Sequence, residues 1–125
     1  MERRTRQRDV IKQVIEGDDR PLSIHEIHEA AKSKVHNLGI ATVYRAVKEL
    51  SADGWLRSVN LPHAQVHYEK SDKGHHHHFH CRSCARIFEL EGCPGHLTRL
   101  IPRGFEMEDH DIIINGQCAD CSTKG

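Results

Sequence analysis

The sequence predicts an α+β protein in two parts, and three observations support this prediction. Apolar residues in the first half recur at helical spacing, from Val10 to Leu50. The second half is richer in β-type segments, of which Ile112-Ile113-Ile114 is the plainest. It also holds the stretch GHHHHFHCRSC at positions 74–84, where five imidazoles and two thiols crowd together. Such a cluster favours metal binding.

Length and composition limit the possible classes of protein. A chain of 125 residues holds one ordinary domain or two small ones, and 37% apolar with 29% charged residues is typical of soluble globular proteins. Acidic and basic residues balance at 18 each, so net charge does not favour nucleic acid. The opening MERRTRQRD is charged where a signal peptide would be apolar, and we expect a cytoplasmic protein without a transmembrane segment.

Three helices are expected in the first half. The first runs from Thr5 to Gly17 on an apolar stripe that a glycine ends. The second runs from about Ser23 to Val35, because Ser23 and Glu26 have capping-box spacing. The third runs from about Ala41 to Ala52.

The third helix carries polar residues off its apolar stripe, as a DNA-reading helix does, although an ordinary surface helix gives the same periodicity. The segments Trp55–Val59 and Gln65–Glu69 then alternate like a β-hairpin. Three helices and a hairpin form a winged helix-turn-helix. The residues expected to contact DNA are Thr42, Tyr44, Arg45 and Lys48, with Arg4 and Arg8 from the basic first helix.

We divide the chain into a winged-helix domain with its hinge, residues 1–69, and a metal-binding dimerisation domain, residues 70–125. The second is expected to be a small αβ unit. A unit this small buries little apolar area, so we expect it to form a homodimer through its sheet. Its predicted elements are strands at His76–Cys81 and Arg86–Leu90, a short helix at His96–Ile101 and a long strand at Phe105–Asn115, covered on both faces.

The histidine run and the cysteine pairs predict separate metal sites. In a strand, side chains alternate with period two, so His75 and His77 face one way while His76, His78 and His80 face the other. An internal run followed by Phe-His-Cys is not typical of an expression tag. Five cysteines without a signal peptide disfavour a disulfide framework. Two CxxC pairs favour one four-sulfur zinc site, made by Cys81, Cys84, Cys118 and Cys121.

The segments IATVYRAVKEL, GHHHHFHCRSC and CADC together resemble the ferric uptake regulator superfamily, and the resemblance covers essentially the whole chain. It implies a homodimeric, metal-dependent repressor in which Tyr44 and Arg45 contact DNA and the four CxxC cysteines hold structural Zn²⁺. The resemblance also implies two further metal sites. A regulatory hinge site would comprise Glu69, His76, His78 and Glu89, and a second site would comprise His75, His77, His96 and His110.

The chain departs from this pattern at several positions. Pro21 replaces a histidine that usually completes the hinge site, so His25 or His28 substitutes or the site has fewer ligands. Those two histidines are three residues apart rather than four, unlike the zinc-protease HExxH helix. Imidazoles at His77 and His96, where the family more often has carboxylates, favour zinc. His80 replaces an apolar residue, and its role stays open.

The leading hypothesis is a repressor of metal-homeostasis genes on a palindromic double-stranded DNA operator, with Zn²⁺ or Fe²⁺ as effector and zinc favoured. A peroxide sensor of the same fold is the alternative, in which iron oxidises its histidine ligands or the unpaired Cys93 reacts with oxidants. A zinc enzyme is a third class, but the deaminase H-x-E and P-C-x-x-C signature is absent. We therefore expect no enzymatic activity.

Overall fold

The computed structural model describes the backbone of residues 2–122 and the side chains of residues 5–122. Within this range a winged helix-turn-helix precedes a small αβ unit, as the sequence predicts. No helix in the described range is both long and apolar enough to span a bilayer. The helices are α1 (Glu2–Glu16), α2 (Ile24–Ala31), α3 (Ile40–Ala52) and α4 (Ala119–Ser122), with a 3₁₀ helix at Leu97–Leu100. The strands are β1 (Leu22–Ser23), β2 (Leu56–Val59), β3 (His67–Lys70), β4 (His77–Cys81), β5 (Ile87–Leu90) and β6 (Ile113–Gly116).

The helices α1, α2 and α3 pack around one apolar core. Each contributes a fully buried side chain, Ile11, Ile27 and Val43 respectively. Burial stabilises by roughly 1.5–3 kcal/mol for each such side chain, so this core is a main contribution to the packing of the three helices. The buried members of the core are Val10, Ile11, Ile15, Leu22, Ile24, Ile27, Ala31, Leu38, Val43, Ala46, Val47, Leu50 and Leu56.

The predicted start of α2 is confirmed, but its predicted end is wrong. The Ser23 hydroxyl accepts a hydrogen bond from the Glu26 backbone N–H at 3.2 Å, and the Ser23 N–H donates to the Glu26 carboxylate at 3.0 Å. The helix then ends at Ala31 rather than Val35. The chain turns after Ala31, and Leu38 enters the core, where it is 4% exposed, before α3 begins.

The predicted hairpin is confirmed as β2 and β3, which pair antiparallel. The sequence did not predict β1, which pairs with the other edge of β3 to make the sheet order β1-β3-β2. A strand of two residues is too short to show alternation, so no sequence signal marks it.

The second sheet has the order β5-β4-β6, with β4 antiparallel to β5 and parallel to β6. The long strand predicted from Phe105 to Asn115 is wrong, because only Ile113–Gly116 is strand and residues 105–112 have no regular strand structure. The histidine strand β4 has five residues and pairs with β6 only from His78 to Cys81. Ile114 is 48% exposed at the sheet edge of the single chain, so the expected cover on both faces stays a prediction that depends on a partner subunit.

A small apolar cluster connects the two sheets. Val59 and Leu61, at the end of the wing, pack with Ile87 of β5, and Ile113 of β6 packs against them. Because this contact holds the second sheet beside the wing, the histidine-rich strand β4 lies close to the carboxylate of Glu69 on β3.

Candidate metal centres and DNA-binding surface

The four cysteines of the two CxxC pairs come together at one end of the second sheet. Cys81 ends β4, Cys84 lies in the turn before β5, and the other pair lies around the short helix α4. Their sulfur atoms all lie within 4.8 Å of one another, and all four are free thiols. Cys84 and Cys118 have their Sγ atoms 3.8 Å apart, too far for a disulfide bond. We call this group the four-cysteine site; it comprises Cys81, Cys84, Cys118 and Cys121.

Hydrogen bonds prepare the four-cysteine site for a cation. The backbone N–H of Cys84 lowers the pKa of Cys81 to about 6, with help from the N–H of Cys118 and against the effect of burial. In contrast, contacts with Cys118 and Cys81 raise the pKa of Cys121 to about 12, because neighbouring sulfurs disfavour another negative charge. A bound cation removes that conflict, so four thiolates at this spacing fit tetrahedral Zn²⁺.

The hinge site is formed by Glu69 from β3 and by two histidines of the second half, His76 and His78. Glu69 Oε1 lies 3.1 Å from His76 Nε2 and 3.4 Å from His78 Nε2. His76 Nδ1 lies 2.7 Å from the Gly74 carbonyl oxygen. If that nitrogen donates to the carbonyl, Nε2 can bind a metal once it gives up the proton that it shares with the Glu69 carboxylate, and the ion then takes the place of that proton.

Glu69 is 2% exposed, yet it is held ionised. Burial acts to raise its pKa, but hydrogen bonds from His78, Arg57 and His76 lower the pKa of Glu69 to about 2. Arg57 was not predicted as a site residue. It lies directly opposite Glu69 in the β2–β3 ladder, and its Nε donates to Oε2 at 2.7 Å. This ladder position can be deduced only once the hairpin register is known.

Glu89, the fourth predicted hinge residue, lies next to the tight group and not within it. It is the antiparallel partner of His78 in the β4–β5 ladder, which puts both side chains on one face of the sheet. Its Oε1 lies 3.4 Å from His76 Nε2 and 3.1 Å from Lys73 Nζ. A small movement would bring this carboxylate to a metal.

Neither histidine of α2 completes the hinge site in place of Pro21. His25 is exposed, and His28 Nε2 lies 2.8 Å from the carbonyl oxygen of Leu38. His80 also belongs to neither histidine site. It is buried, and its Nε2 has no hydrogen-bond partner within the described residues.

The second site lies on the opposite face of the histidine strand. It brings together His75, His77 and His110 as predicted, but its fourth member is Cys93. His96, the predicted fourth ligand, is exposed just before the 3₁₀ helix and lies outside the group. We use the name second site for His75, His77, Cys93 and His110, whose candidate ligand atoms lie within 4.8 Å of one another.

The candidate DNA-binding residues lie on or near α3. Tyr44 is 55% exposed, Arg45 and Lys48 are exposed, and Thr42 is half-buried and accepts a hydrogen bond from Arg45 Nη2 at 3.2 Å. Arg8 of α1 instead forms an ion pair at 2.7 Å with Asp53, just after α3. The side chain of Arg4 lies outside the described residues.

The fold and the three clusters together indicate the general class of protein to which this chain belongs. A winged helix beside a cysteine cluster and two histidine-rich clusters is the architecture of a metal-binding DNA regulator.

Comparison with known proteins agrees with that class. Residues 2–115 match the Ferric uptake regulator family. The chain is 32% identical over 127 positions to the ferric uptake regulation protein of Campylobacter jejuni, covering 96% of this chain and 80% of that protein. It is 31% identical over 124 positions to the zinc uptake regulation protein of Mycobacterium tuberculosis, covering 95% and 94%.

The structure is similar to that of the Helicobacter pylori ferric uptake regulator Fur, with a TM-score of 0.73 and 25% identity over 94% of this chain and 80% of that one. The chain belongs to the ferric uptake regulator family and is a metal-responsive transcription regulator.

Proposed function

We propose that this chain is a homodimeric repressor that binds a palindromic DNA operator when a metal ion occupies the hinge site. In this proposal it controls metal-homeostasis genes in the cytoplasm. The observation that carries the proposal is the origin of the ligands: Glu69 belongs to the wing sheet, while His76 and His78 belong to the second half. An ion held by all three would join the DNA-binding half to the rest of the subunit.

Such an ion would act on the shape of the protein. Among the described residues, the halves share a small apolar contact, the polar groups of the hinge, a hydrogen bond from Lys73 Nζ to the Asp19 carbonyl oxygen at 3.0 Å and a contact of Arg20 with the Phe88 ring. In this proposal these contacts alone leave the halves able to move relative to each other. A metal bound by both halves would stabilise one arrangement over the others, and its affinity for that arrangement sets how far the equilibrium shifts. The winged helices of the dimer would then be spaced for successive major grooves.

The second half supplies the proposed dimer interface. Large apolar side chains are exposed on it, and a second copy of the chain would cover them. In this proposal residues 1–69 bind DNA and residues 70–125 bind metal and form the dimer. These side chains are Leu100, Phe105, Met107 and Ile114, with exposures from 42% to 80%.

The α3 helix would read the operator. Arg45 and Lys48 are exposed cations, and Tyr44 presents an aromatic ring and a hydroxyl group beside them. Arginine and lysine contact both phosphates and guanine edges, so a helix with this surface suits the major groove.

Zinc is proposed as the effector in preference to iron. The similar relatives include both an iron-named and a zinc-named regulator at nearly equal identity, so the names do not separate the two metals. Two of the three hinge ligands are imidazoles, His76 and His78, which disfavours oxygen-preferring metals such as manganese. The preference for zinc over iron rests on the imidazole and thiolate ligands of the second site and stays a prediction. Peroxide sensing stays a prediction from the sequence.

The proposal is tested by measuring operator affinity in two metal states. The probe is a fluorescent duplex selected from a random-sequence library by the zinc-loaded protein. The second metal state is obtained with a chelator that empties the histidine sites but leaves zinc in the four-cysteine site, as checked by elemental analysis. We expect affinity to fall on the order of 5–150-fold on chelation, the usual range for one effector. Equal affinity in both states would contradict the proposal.

An Arg45→Ala variant is the matched control. Arg45 is exposed and lies away from all three metal clusters, so the variant should keep its metal content. It should bind the operator more weakly in both metal states, because it lacks a cation that contacts DNA.

A further inference from the structure

The second site contains a sulfur atom close to its imidazoles. Cys93 Sγ lies 3.0 Å from His110 Nε2 and 3.3 Å from His77 Nε2. His75 Nε2 lies 3.2 Å from His110 Nε2, so three rings and one thiol converge on one point. His77 is 2% exposed, which means that this point is covered by protein on one side.

The hydrogen bond made by His77 indicates how the site is arranged without metal. The backbone N–H of Ile112 donates to His77 Nδ1 at 3.1 Å, so a neutral His77 ring carries its proton on Nε2 and directs it at Cys93 Sγ. To coordinate through Nε2, the ring has to lose that proton and disturb the bond from Ile112. Cys93 Sγ is within reach of the same point, and its near contacts are with His110 Nε2 and His77 Nε2, both members of the site, while its contact with the Pro94 carbonyl oxygen is long, at 3.7 Å. A cation bound there would therefore replace contacts within the site and would break no short bond from Cys93 to the backbone.

We propose that Cys93 is a ligand of the second site, which it converts into a thiolate–imidazole site for Zn²⁺ or another borderline-soft divalent cation. His75 and His110 are its partners, and His77 takes the fourth position if it gives up the bond from Ile112. The inference deepens the proposed function, because it rests on the second site being one of the metal sites of this regulator.

A sulfur ligand determines which cations the site takes. Zinc and cobalt(II) bind thiolate and imidazole in tetrahedral sites, whereas manganese(II) favours oxygen ligands in octahedral ones. Replacing the predicted His96 by Cys93 therefore makes the site more selective against manganese than four imidazoles would. The thiolate also gives the bound cation a negatively charged ligand, which a histidine does not.

Cobalt(II) spectroscopy tests the assignment, because a cobalt–thiolate bond gives an intense charge-transfer band in the near ultraviolet. Cobalt is titrated into full-length protein whose four-cysteine site already holds zinc, with elemental analysis showing one retained zinc per chain. We expect the band to grow with the second-site cobalt in the wild type and to be lost in Cys93→Ser. A His96→Ala variant is the matched control and should keep the band.

Competition with a chromophoric chelator gives the size of the effect. Zinc affinity of the second site should fall at least tenfold in Cys93→Ser and change little in His96→Ala, because loss of a residue that only supports a ligand already costs about 10–100-fold and loss of a ligand should cost no less. A charge-transfer band of unchanged intensity in Cys93→Ser, or a larger loss of zinc affinity in His96→Ala, would overturn the proposal.

Alkylation of the wild type provides a readout that needs no variant. Cys93 is exposed, so iodoacetamide should modify it in protein with empty histidine sites, as weighed by peptide mass spectrometry. Zinc should slow this modification at least tenfold, and equal rates would overturn the assignment. Operator binding is not measured in these experiments. Zinc could protect Cys93 from alkylation while DNA binding proves independent of metal. That pair of results would refute the proposed function but not this inference.

Discussion

The hinge site depends at the residue scale on one carboxylate. Glu69 directs Oε1 at His76 and His78, while Arg57 binds Oε2 at 2.7 Å. Hydrogen bonds from these neighbours hold the pKa of Glu69 at about 2, below the ordinary 4.5, despite burial. A depressed pKa means that the carboxylate stabilises the fold above pH 4.5 and that this contribution is lost as the pH falls toward 2. At neutral pH, Glu69 is therefore available as an anionic ligand.

Glu69→Gln should weaken metal binding at the hinge at neutral pH. Glutamine keeps the shape and one oxygen ligand but removes the negative charge, so we expect the hinge affinity for zinc to fall at least tenfold. Titration against a chromophoric chelator measures this loss. Zinc in the four-cysteine site is the internal control and should stay at one ion per chain. Unchanged hinge affinity would mean that the metal takes its carboxylate from Glu89 instead.

The sequence predicted some of the residues of these clusters and missed others for a physical reason. Alternation along a strand is local, so it correctly separated His75 and His77 from His76 and His78. The choice between Cys93 and His96 depends on the path of the loop after β5, where Gly92 has a φ of +83°. No periodicity describes such a loop, and the nearer residue could not be found by spacing.

At the element scale, the boundaries of α2 show how local signals specify structure. Ser23 and Glu26 form a reciprocal cap, and Arg20 Nη2 lies 2.6 Å from the Glu26 carboxylate. Although burial acts to raise the pKa of Glu26, the bonds from Arg20 and from the Ser23 N–H lower it. Ser23 also belongs to β1, so the cap lies at the junction between the wing sheet and the helices.

Ser23→Ala should destabilise the winged-helix half. The variant loses the hydroxyl acceptor for the Glu26 N–H, and loss of such a cap costs about 0.5–2 kcal/mol. Urea denaturation followed by circular dichroism measures the change in the free energy of unfolding. Metal content should stay constant, because Ser23 lies in none of the three clusters. A Ser23→Thr variant, which keeps the hydroxyl, is the control and should lose much less stability.

In contrast to α2, the length of β6 is not specified by local sequence signals. Its isoleucine run has strong β propensity, and the sequence predicted a strand beginning at Phe105. A strand lasts only as long as its partner, however, and β4 supplies partners to residues 113–116 alone. Pairing is a contact between segments far apart in the chain, so propensity predicted that a strand exists but not how long it is.

At the scale of the whole molecule, the hinge site and the apolar contact act on the same junction. Val59 and Ile87 pack across it, and Glu69 faces the two hinge histidines beside it. The apolar contact is present with or without metal and holds the halves close. The ion adds a bond whose strength depends on the angle between them, and this dependence is what allows a metal to control DNA affinity.

The coupling between metal and operator should be reciprocal. If hinge metal raises operator affinity by some factor, then saturating operator must raise hinge metal affinity by the same factor, since both follow from one shift between two states. Chelator competition with and without the selected duplex measures the second factor, and a scrambled duplex of equal length controls for general electrostatic effects. The Cys93→Ser variant, with its weakened second site, should give the same pair of factors. The contrary result would be a protein in which metal changes operator affinity but operator does not change the metal affinity of the hinge. That result would mean that the controlling ion is bound outside the hinge. In that case the second site, on the other face of β4, would be the place where metal controls DNA binding.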